Sequence, residues 1–436
     1  METKKASRRR FLRQAALVGI AAGAAPALKA QMEMMPMSGS STGGSAAASS
    51  PGAAAPPGNP TDRLAYGVRS RHEKTIRAIA GDSVNPEHMH FGRMLNVLTP
   101  LQDIVGSITP TPLHFVSAHG YTPPDIDPKA HRLMVQGMVD RPLVFTLDEL
   151  KQLPSTSRII YLECQANRPE YKQETLELTF GKTGCSQWTG VLLSVLLKEA
   201  GVRADAKWIV GEGSENGRMT KSTPLSKAMD DVLVAYGMNG EAVRPENGYP
   251  LRLVVPGFEA IHSVKWLRQI KVTDRPYMGF QETGRYSPRT PKGIEFTFAQ
   301  GPKSVITYPS GGQRLTRRGF HEIRGLAWSG GGKVSKAEVS LDGGKTWREA
   351  QLQGPTLPMA HTRFTLPWQW NGEDVVLMSR CTDELGEVQP TLAQFAKFWG
   401  ATSAEFLAGT ASGAGHSNAI QPWGIRRDGS VYNAIS

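Results

Sequence analysis

The sequence contains only three cysteines, Cys164, Cys185 and Cys381, in 436 residues. An odd number leaves at least one thiol unpaired, and three cysteines are too few to build a disulfide-based fold of this length. No C-x-x-C-H motif is present, so this sequence offers no site for covalent attachment of a c-type haem. Beyond the first 30 residues, no apolar run reaches the ~18 residues that a membrane-spanning helix needs. The sequence is 39% hydrophobic and 8% aromatic, which is typical of a globular protein with a packed core.

The net charge of +11 is concentrated near the start of the sequence. Seven cationic residues and one acidic residue lie within positions 1–30, which leaves +5 for the rest of the chain. No basic stripe interleaved with aromatic residues is present, so nucleic-acid binding is not expected. The modest positive charge of the remainder favours an anionic small substrate or an acidic protein partner.

Positions 1–30 resemble a twin-arginine export signal. Arg8 and Arg9 precede Phe11 and Leu12, and a short run rich in glycine and alanine follows. The alternative is an ordinary basic secretory signal or an anchor, but the apolar run is short for an anchor. We therefore expect export to the periplasm in the folded state, with a cofactor already inside.

The rest of the chain divides into regions of different composition. Residues 31–62 are rich in Ser, Gly, Ala and Pro and are typical of a flexible linker. Residues 63–288 alternate irregularly between strand and helix patterns, which predicts an α+β domain. Residues 289–400 show short alternating strands, which predicts a β-sandwich. Residues 401–436 show little pattern and are assigned to a C-terminal tail.

Local signals place several individual elements. Thr146 and Glu149 have the spacing of a capping box and predict the start of a helix. The segment "SRIIYLEC" predicts a strand that runs into Cys164, and "TGVLLSVLLKEAG" predicts a buried helix that ends at Gly201. The segment "KAEVSLDGGKTWREA" predicts a hairpin whose turn is Asp342-Gly343-Gly344.

The strand end at Cys164 is the position most informative about function. A cysteine chosen at random is usually a buried structural residue, but this one lies where loops gather. Arg168 follows four residues later, and a nearby guanidinium would favour the thiolate that binds metal. No recognisable Ser/His/Asp or Cys/His signature accompanies it, so nucleophilic catalysis is unsupported. A single thiolate ligand to a metal that another group mainly holds fits these residues better.

A second segment, "VVPGFEAIHSVKWLRQIKV", is suited to binding a phosphate-sized anion. Ser263-Val264-Lys265 follows a Gly/Pro loop and precedes a strand, where backbone N–H groups and a lysine can hold an anion. Arg252 in the preceding strand adds a second cation. Each residue alone also has an ordinary structural explanation, because a lysine before a strand is commonly a solvated charge. A lone histidine such as His119 is commonly a structural hydrogen-bonder.

Together these segments resemble the sulfite oxidase family of molybdenum enzymes over about residues 113–434. The motifs that carry the resemblance are "YLECQAN", "CSQWTGV", "SVKWLRQIKVTD", "GLAWSGGGKVSKAEVSLDGGKTW" and "EVQP". Within the family, the chain most resembles the molybdenum subunits of Sox thiosulfate oxidation, the sulfane dehydrogenases called SoxC. That narrower match rests on "SKAMDDVLVAYGMNGEAVRPENGYP", "KSVITYPSGGQ" and "NAIQPW". The resemblance implies an α+β molybdopterin domain followed by an immunoglobulin-like β-sandwich dimerisation domain over residues 289–400.

The resemblance also implies a molybdenum-molybdopterin cofactor and roles for particular residues. Cys164 matches the family's molybdenum ligand, and the pterin would supply other ligands. Catalytic roles carry over to Tyr286 and Arg168, which would position the substrate or move protons. The residues that match cofactor-contacting positions are Phe115, His119, Cys164, Asn247, Arg252, Ser263, Val264 and Lys265.

The chain departs from the pattern of vertebrate-type sulfite oxidases at several positions. Ser117-Ala118-His119 stands where those enzymes have Arg-Asn-His, and Gln165-Ala166-Asn167 replaces Ala-Gly-Asn. Pro169 and Trp399 stand where arginines are expected. With fewer cations, the pocket is expected to hold a doubly charged oxyanion less tightly, which favours a larger sulfur species over free sulfite.

The function that the resemblance implies is oxidation of inorganic sulfur, either sulfane sulfur on a carrier protein or sulfite. Electrons would pass to a c-type cytochrome, expected to be a separate dihaem subunit, and the expected assembly is a homodimer core within a heterotetramer. Three alternatives remain open. They are a stand-alone sulfite:cytochrome c dehydrogenase, a molybdenum sulfoxide reductase, whose relatives lack the C-terminal sandwich, and a non-catalytic adhesion protein, which would contain no metal.

Overall fold

The computed structural model describes residues 69–79, 96–117, 123–168, 173–290, 293–408 and 416–435. The predicted export signal and linker, His119 and Pro169 lie outside the described residues. The chain divides into two units, Met1–Thr75 and Ile76–Ser436. Of the first unit only residues 69–75 are described, and there the Glu73 N–H donates to the Ser70 carbonyl oxygen at 3.0 Å.

All helices and strands described below belong to the second unit. The helices are α1 (Leu147–Gln152), α2 (Leu176–Phe180), α3 (Leu193–Ala200), α4 (Leu225–Asp230), α5 (Leu392–Phe398) and α6 (Ser403–Leu407). Shorter helical turns cover Thr111–Leu113, Pro245–Asn247, Ala260–His262 and Gln281–Arg285. Within the described residues, no helix is long and apolar enough to cross a membrane.

The strands fall into an N-terminal and a C-terminal group. The first group is β1 (Ala78–Ile79), β2 (Val97–Leu98), β3 (Leu133–Gly137), β4 (Leu143–Phe145), β5 (Ser155–Glu163), β6 (Thr183–Leu192), β7 (Trp208–Gly213), β8 (Thr220–Pro224), β9 (Leu233–Met238), β10 (Glu241–Ala242), β11 (Arg252–Val254), β12 (Leu267–Thr273), β13 (Arg289–Thr290) and β14 (Gly293–Ile294). The second group is β15 (Lys303–Tyr308), β16 (Gly319–Trp328), β17 (Val334–Ser340), β18 (Arg348–Gln353), β19 (Thr362–Trp370), β20 (Val375–Asp383), β21 (Trp423–Ile425) and β22 (Val431–Asn433).

Two five-stranded sheets form the N-terminal part of the fold. One has the order β10-β9-β6-β5, with β11 also pairing with β9, and all its pairs are antiparallel. The other has the order β4-β3-β12-β7-β8, in which β3 and β12 are parallel and the other pairs antiparallel. The α+β prediction is confirmed, since short helices accompany sheets with few parallel pairs.

The eight C-terminal strands form one hydrogen-bonded path, β15-β16-β19-β18-β17-β20-β21-β22. The path folds back on itself, because Ser304 Oγ in β15 donates to Ser379 Oγ in β20 at 2.9 Å although the two strands are far apart in the path. Phe364, Leu366 and Trp368 of β19 are buried in the core between the layers, as their alternation predicts. The predicted β-sandwich is therefore confirmed.

Two local predictions hold for reasons that lie within a few residues. The Thr146 hydroxyl oxygen accepts a hydrogen bond from the Glu149 N–H at 3.2 Å, and the Glu149 carboxylate accepts one from the Thr146 N–H at 2.8 Å. This is the predicted capping box at the start of α1. The predicted hairpin joins β17 and β18, and Gly343 and Gly344 have φ of +71° and +90° in its turn.

Two predictions differ from the structure. The helix expected over "TGVLLSVLLKEAG" begins only at Leu193, because the preceding four residues end β6, which pairs with β5 and β9. It ends as predicted before Gly201, whose φ of +74° is left-handed. Residues 416–435 are not a loose tail, because β21 and β22 extend the eight-stranded sheet and bury Trp423. Strands of three residues are too short to show a readable alternation.

Candidate active site

A cavity lies beside the carboxyl end of β5, where about 650 Å³ is free of protein atoms when the part open to solvent is counted. It is lined by side chains from distant parts of the chain. Seven of the residues predicted from the sequence line it, namely Phe115, Cys164, Asn247, Arg252, Ser263, Lys265 and Tyr286. The fold therefore brings most of the predicted cofactor and catalytic residues to one place.

Three of the residues singled out in the sequence do not line the cavity. Val264 is fully buried behind it, and its carbonyl oxygen accepts from the Leu253 N–H at 2.9 Å. The guanidinium carbon of Arg168 lies 5.9 Å from the centroid of the Phe406 ring. Trp399, at a departure position, packs in the small cluster around α5 and α6. The direct catalytic role predicted for Arg168 therefore gains no support from this geometry.

The predicted metal ligand Cys164 sits in a tight turn that follows β5. Its N–H donates to the Lys182 carbonyl oxygen at 3.0 Å, and its carbonyl oxygen accepts from the Asn167 N–H at 2.9 Å. Desolvation raises the pKa of the Cys164 thiol, while the Ala166 N–H and the Lys182 ammonium act in the opposite direction. Lys182 is thus a cation that favours the Cys164 thiolate.

Two buried cations define one end of the cavity. Arg252 Nε donates to the Ser263 carbonyl oxygen at 3.2 Å, and its Nη1 donates to the Asn247 carbonyl oxygen at 3.0 Å. Lys265 Nζ donates to the Glu246 carbonyl oxygen at 3.0 Å. Burial lowers the pKa of Arg252 to about 9. Burial and the neighbouring Arg252 lower the pKa of Lys265 to about 7. A bound anion such as phosphate would offset this desolvation.

Two residues of the cavity lining, His114 and Asn247, carry buried hydrogen-bond acceptors. His114 Nδ1 lies 3.0 Å from the Phe115 carbonyl oxygen. Burial lowers the pKa of His114 to about 3, so the ring is neutral. Since a carbonyl oxygen only accepts, Nδ1 carries the proton and Nε2 is left as an acceptor. His114 Nε2 and Asn247 Oδ1 are both buried and have no hydrogen-bond partner among the described residues. A ligand with N–H or O–H groups would satisfy them.

This lining fits a group that combines a phosphate, a heterocycle with N–H donors and a metal that needs one protein thiolate. The cations match the phosphate, the orphaned acceptors match the heterocycle, and Cys164 matches the metal. Over the described ranges, no set of three or more His, Cys, Asp or Glu side chains is arranged to hold a metal ion.

The rest of the lining includes residues that sequence reasoning missed. Glu215 is buried, and its Oε1 accepts from the Met219 N–H at 2.5 Å. Burial raises the pKa of Glu215. Ser117 and Gln165, at positions where the chain departs from vertebrate-type sulfite oxidases, are uncharged and line the cavity. The sequence offered one signal for a missed residue, since His114 adjoins the predicted Phe115. It offered none for Glu215, because Glu215 reaches the cavity through the pairing of β7 and β8.

Comparisons with known proteins show the family to which the chain belongs. The family model of the oxidoreductase molybdopterin binding domain matches residues 119–281, and that of the Mo-co oxidoreductase dimerisation domain matches residues 298–404. The chain belongs to the sulfite oxidase family of molybdopterin oxidoreductases, and its cofactor is molybdenum-molybdopterin. The structure is similar to the crystal structure of the sulfane dehydrogenase SoxCD from Paracoccus pantotrophus, with a TM-score of 0.73 and 35% sequence identity. That likeness covers 86% of this chain and 99% of the other.

Curated relatives of similar sequence are nitrate reductases. The NADH nitrate reductase of Solanum lycopersicum is 33% identical over 335 residues, which is 65% of this chain and 36% of that protein. The NADH nitrate reductase of Volvox carteri is 31% identical over 350 residues, which is 68% of this chain and 40% of that protein. The chain spans well under half the length of these relatives.

Proposed function

We propose that the chain oxidises inorganic sulfur in the periplasm and passes the electrons to a c-type cytochrome. The substrate would be sulfane sulfur on a carrier protein, or sulfite. The observation that carries the proposal is the likeness to the sulfane dehydrogenase SoxCD over 99% of that chain. The uncharged Ser117 and Gln165 in the cavity lining support a sulfur species larger than a small dianion. Since the sequence has no haem-attachment motif, the acceptor would be a separate protein, such as a dihaem cytochrome.

Some residues of the cavity would hold the cofactor, and another would position the substrate. When bound, the molybdenum cofactor supplies two-electron redox chemistry and oxygen-atom transfer. Cys164 Sγ would bind the metal, and Arg252 with Lys265 would hold the phosphate. His114 Nε2 and Asn247 Oδ1 would accept hydrogen bonds from the heterocycle. Tyr286 lines the same cavity, and its hydroxyl would orient the sulfur substrate or hold a proton near it.

The proposed assembly is a homodimer formed through the sandwich, with one cytochrome subunit for each chain. The match of residues 298–404 to a dimerisation domain supports the homodimer. The likeness to SoxCD supports a partner chain. The export signal predicted at positions 1–30 supports the periplasm, where c-type cytochromes would be available.

Nitrate reduction is the second candidate, because the curated relatives are nitrate reductases. A stand-alone sulfite dehydrogenase is the third, since it would use the same cofactor and cavity. The C-terminal sandwich argues against the alternative of a molybdenum sulfoxide reductase, because the relatives with that activity lack this domain. Nitrate reduction differs from the two oxidations in the direction of electron flow, and the two oxidations differ in whether carrier-bound sulfur is a substrate, so the three activities can be separated by assay.

The deciding experiment compares the purified protein with its Cys164→Ser variant. Molybdenum is measured by elemental analysis, and activity is assayed with sulfite, with sulfur bound to a carrier protein, and with nitrate. About one molybdenum per chain, oxidation of the sulfur substrates with reduction of cytochrome c, and loss of both in the variant are expected. Nitrate reduction without sulfur oxidation would overturn the proposal, and so would wild-type protein without molybdenum.

A further inference from the structure

A fully buried ion pair lies directly behind the turn that carries Cys164. Glu163, the last residue of β5, and Lys303, the first residue of β15, have no solvent-exposed side-chain surface. Lys303 Nζ lies 2.7 Å from Glu163 Oε1. The pair therefore connects the α+β part of the fold to the sandwich at the residue next to the predicted metal ligand.

The Glu163 carboxylate accepts three side-chain hydrogen bonds and has a histidine as a fourth close neighbour. Its Oε1 accepts from Asn167 Nδ2 and from Lys303 Nζ, each at 2.7 Å. Its Oε2 accepts from Trp328 Nε1 at 2.7 Å, and His416 Nε2 lies 2.8 Å from the same atom. Four partners from different parts of the chain thus meet on one carboxylate.

The ammonium group of Lys303 is equally well satisfied. Its three N–H groups are matched by Glu163 Oε1, the Asn167 carbonyl oxygen and the Ser417 carbonyl oxygen, the last at 2.8 Å. Asn167 in turn accepts at Oδ1 from the Lys182 N–H at 3.0 Å. Both ends of the Cys164 turn, residues 163 and 167, are therefore held by the same lysine.

A buried ion pair is a poor source of stability, since an apolar pair of similar volume is often as stable. A fully connected network instead fixes a single geometry, because moving one member leaves another unpaired. Here the geometry that is fixed is the backbone on both sides of Cys164. Partners beyond the ligand itself commonly orient metal ligands in this way.

We infer that Lys303, together with Trp328, His416 and Ser417, acts through Glu163 and Asn167 as a positioning device that fixes the Cys164 thiol for metal binding. The sandwich and the segment at 416–417 are thus part of the support for the metal centre. The inference rests on the proposed role of Cys164 as the molybdenum ligand.

The test compares Lys303→Met, Glu163→Gln and the double variant Glu163→Leu/Lys303→Met with the wild type. Asp383→Asn is the matched control, because Asp383 is also buried and accepts several hydrogen bonds, but within the sandwich and its loop. Three quantities are measured: molybdenum per chain, the melting temperature, and the rate at which iodoacetamide alkylates each cysteine of the metal-free protein. The fully buried Cys185 and Cys381 serve as internal references for global unfolding.

For Lys303→Met and Glu163→Gln, we expect molybdenum content to fall by about tenfold. We expect the alkylation of Cys164 to become faster, because the turn that holds the thiol loses a partner, while Cys185 and Cys381 stay unreactive. In the double variant we expect the melting temperature to return close to the wild-type value while the Cys164 changes persist. If the double variant restores Cys164 together with the melting temperature, or if all three cysteines change together, the network is merely structural and the inference is wrong. Absence of molybdenum from the wild type would count against the proposed function, whereas the alkylation rates would still decide the positioning role.

Discussion

The guanidinium carbon of Arg252 lies 5.3 Å from the centroid of the Trp188 indole, and both side chains are buried. The stacking fixes the plane of the guanidinium, while its Nε and Nη1 donate to backbone carbonyl oxygens. Because a planar cation held in this way can meet an oxyanion with two donors, the arrangement is specific for arginine rather than for any positive charge.

Replacing Arg252 with lysine is therefore expected to weaken cofactor binding although the charge is kept. A lysine would lose both the stacking and the paired donors, and we expect molybdenum content to fall by about tenfold or more. The control is Arg380→Lys, because the Arg380 guanidinium also stacks on a tryptophan, 4.3 Å from the Trp347 centroid, but in the sandwich. Unchanged molybdenum content in Arg252→Lys would show that the phosphate is not held there.

Lys265 makes anion binding by the metal-free protein dependent on pH. Its pKa, lowered to about 7 by burial and by Arg252, means that it loses its charge as the pH rises through neutrality. We expect the affinity for sulfate, which keeps its charge over this range, to fall roughly tenfold between about pH 6 and pH 8 at constant ionic strength. Calorimetric titration measures the affinity for sulfate at each pH. Lys265→Met is expected to bind sulfate weakly, with an affinity that does not change near neutral pH.

The same shift has a consequence for stability. The pKa of Lys265 is lower in the folded protein than in the unfolded chain, so the unfolded chain binds more protons above neutrality. The contribution of this residue to stability therefore rises with pH from about 7 toward the unfolded value of 10.5. The free energy of unfolding, measured with denaturant, should differ between the metal-free protein and Lys265→Met below this pH window. The two values should approach each other above it. Parallel curves would contradict the shift.

Tyr286 is expected to act in turnover rather than in cofactor retention. Tyr286 lines the cavity, and its backbone N–H donates to the Gln281 carbonyl oxygen at 2.9 Å, a hydrogen bond that substitution of the side chain leaves unaffected. We expect Tyr286→Phe to keep its molybdenum and to lower kcat/KM by about a hundredfold, in the range for loss of a proton-handling group. Tyr277→Phe is the control, since Tyr277 is exposed and does not line the cavity.

The sandwich offers a prediction about stability alone. Gly325 in β16 stands opposite Phe364 in β19, and a Cβ added there would overlap the Phe364 ring and the Val305 carbonyl oxygen. We expect Gly325→Ala to lower the free energy of unfolding by about 1–3 kcal/mol. In Gly354→Ala, where an added Cβ meets nothing within 4 Å, the change should be within about 0.5 kcal/mol. Equal values for the two variants would mean that β16 and β19 are less tightly packed than described.

What could be predicted from the sequence depended on how local the cause was. The Thr146 cap, the turn at Gly343 and the alternation in β19 are fixed by residues within a few positions, so the sequence predicts them. The cavity residues were predicted through motifs that resemble a known family, and the structure brings seven of them together. The free acceptor on His114 and the buried Glu215 depend on strand pairing, which no short pattern encodes. The position of Arg168 against Phe406 depends on the segment after α5, which the sequence left as a tail.

Lys303 also constrains the order in which the protein can mature. The turn around Cys164 is synthesised before the sandwich, but one of its anchors passes through Lys303 to Ser417, which is synthesised after β20. A growing chain therefore cannot close the support behind the metal ligand until nearly the whole sandwich has emerged and folded. A chain interrupted before Ser417 would therefore lack one of the partners that hold Lys303 behind Cys164.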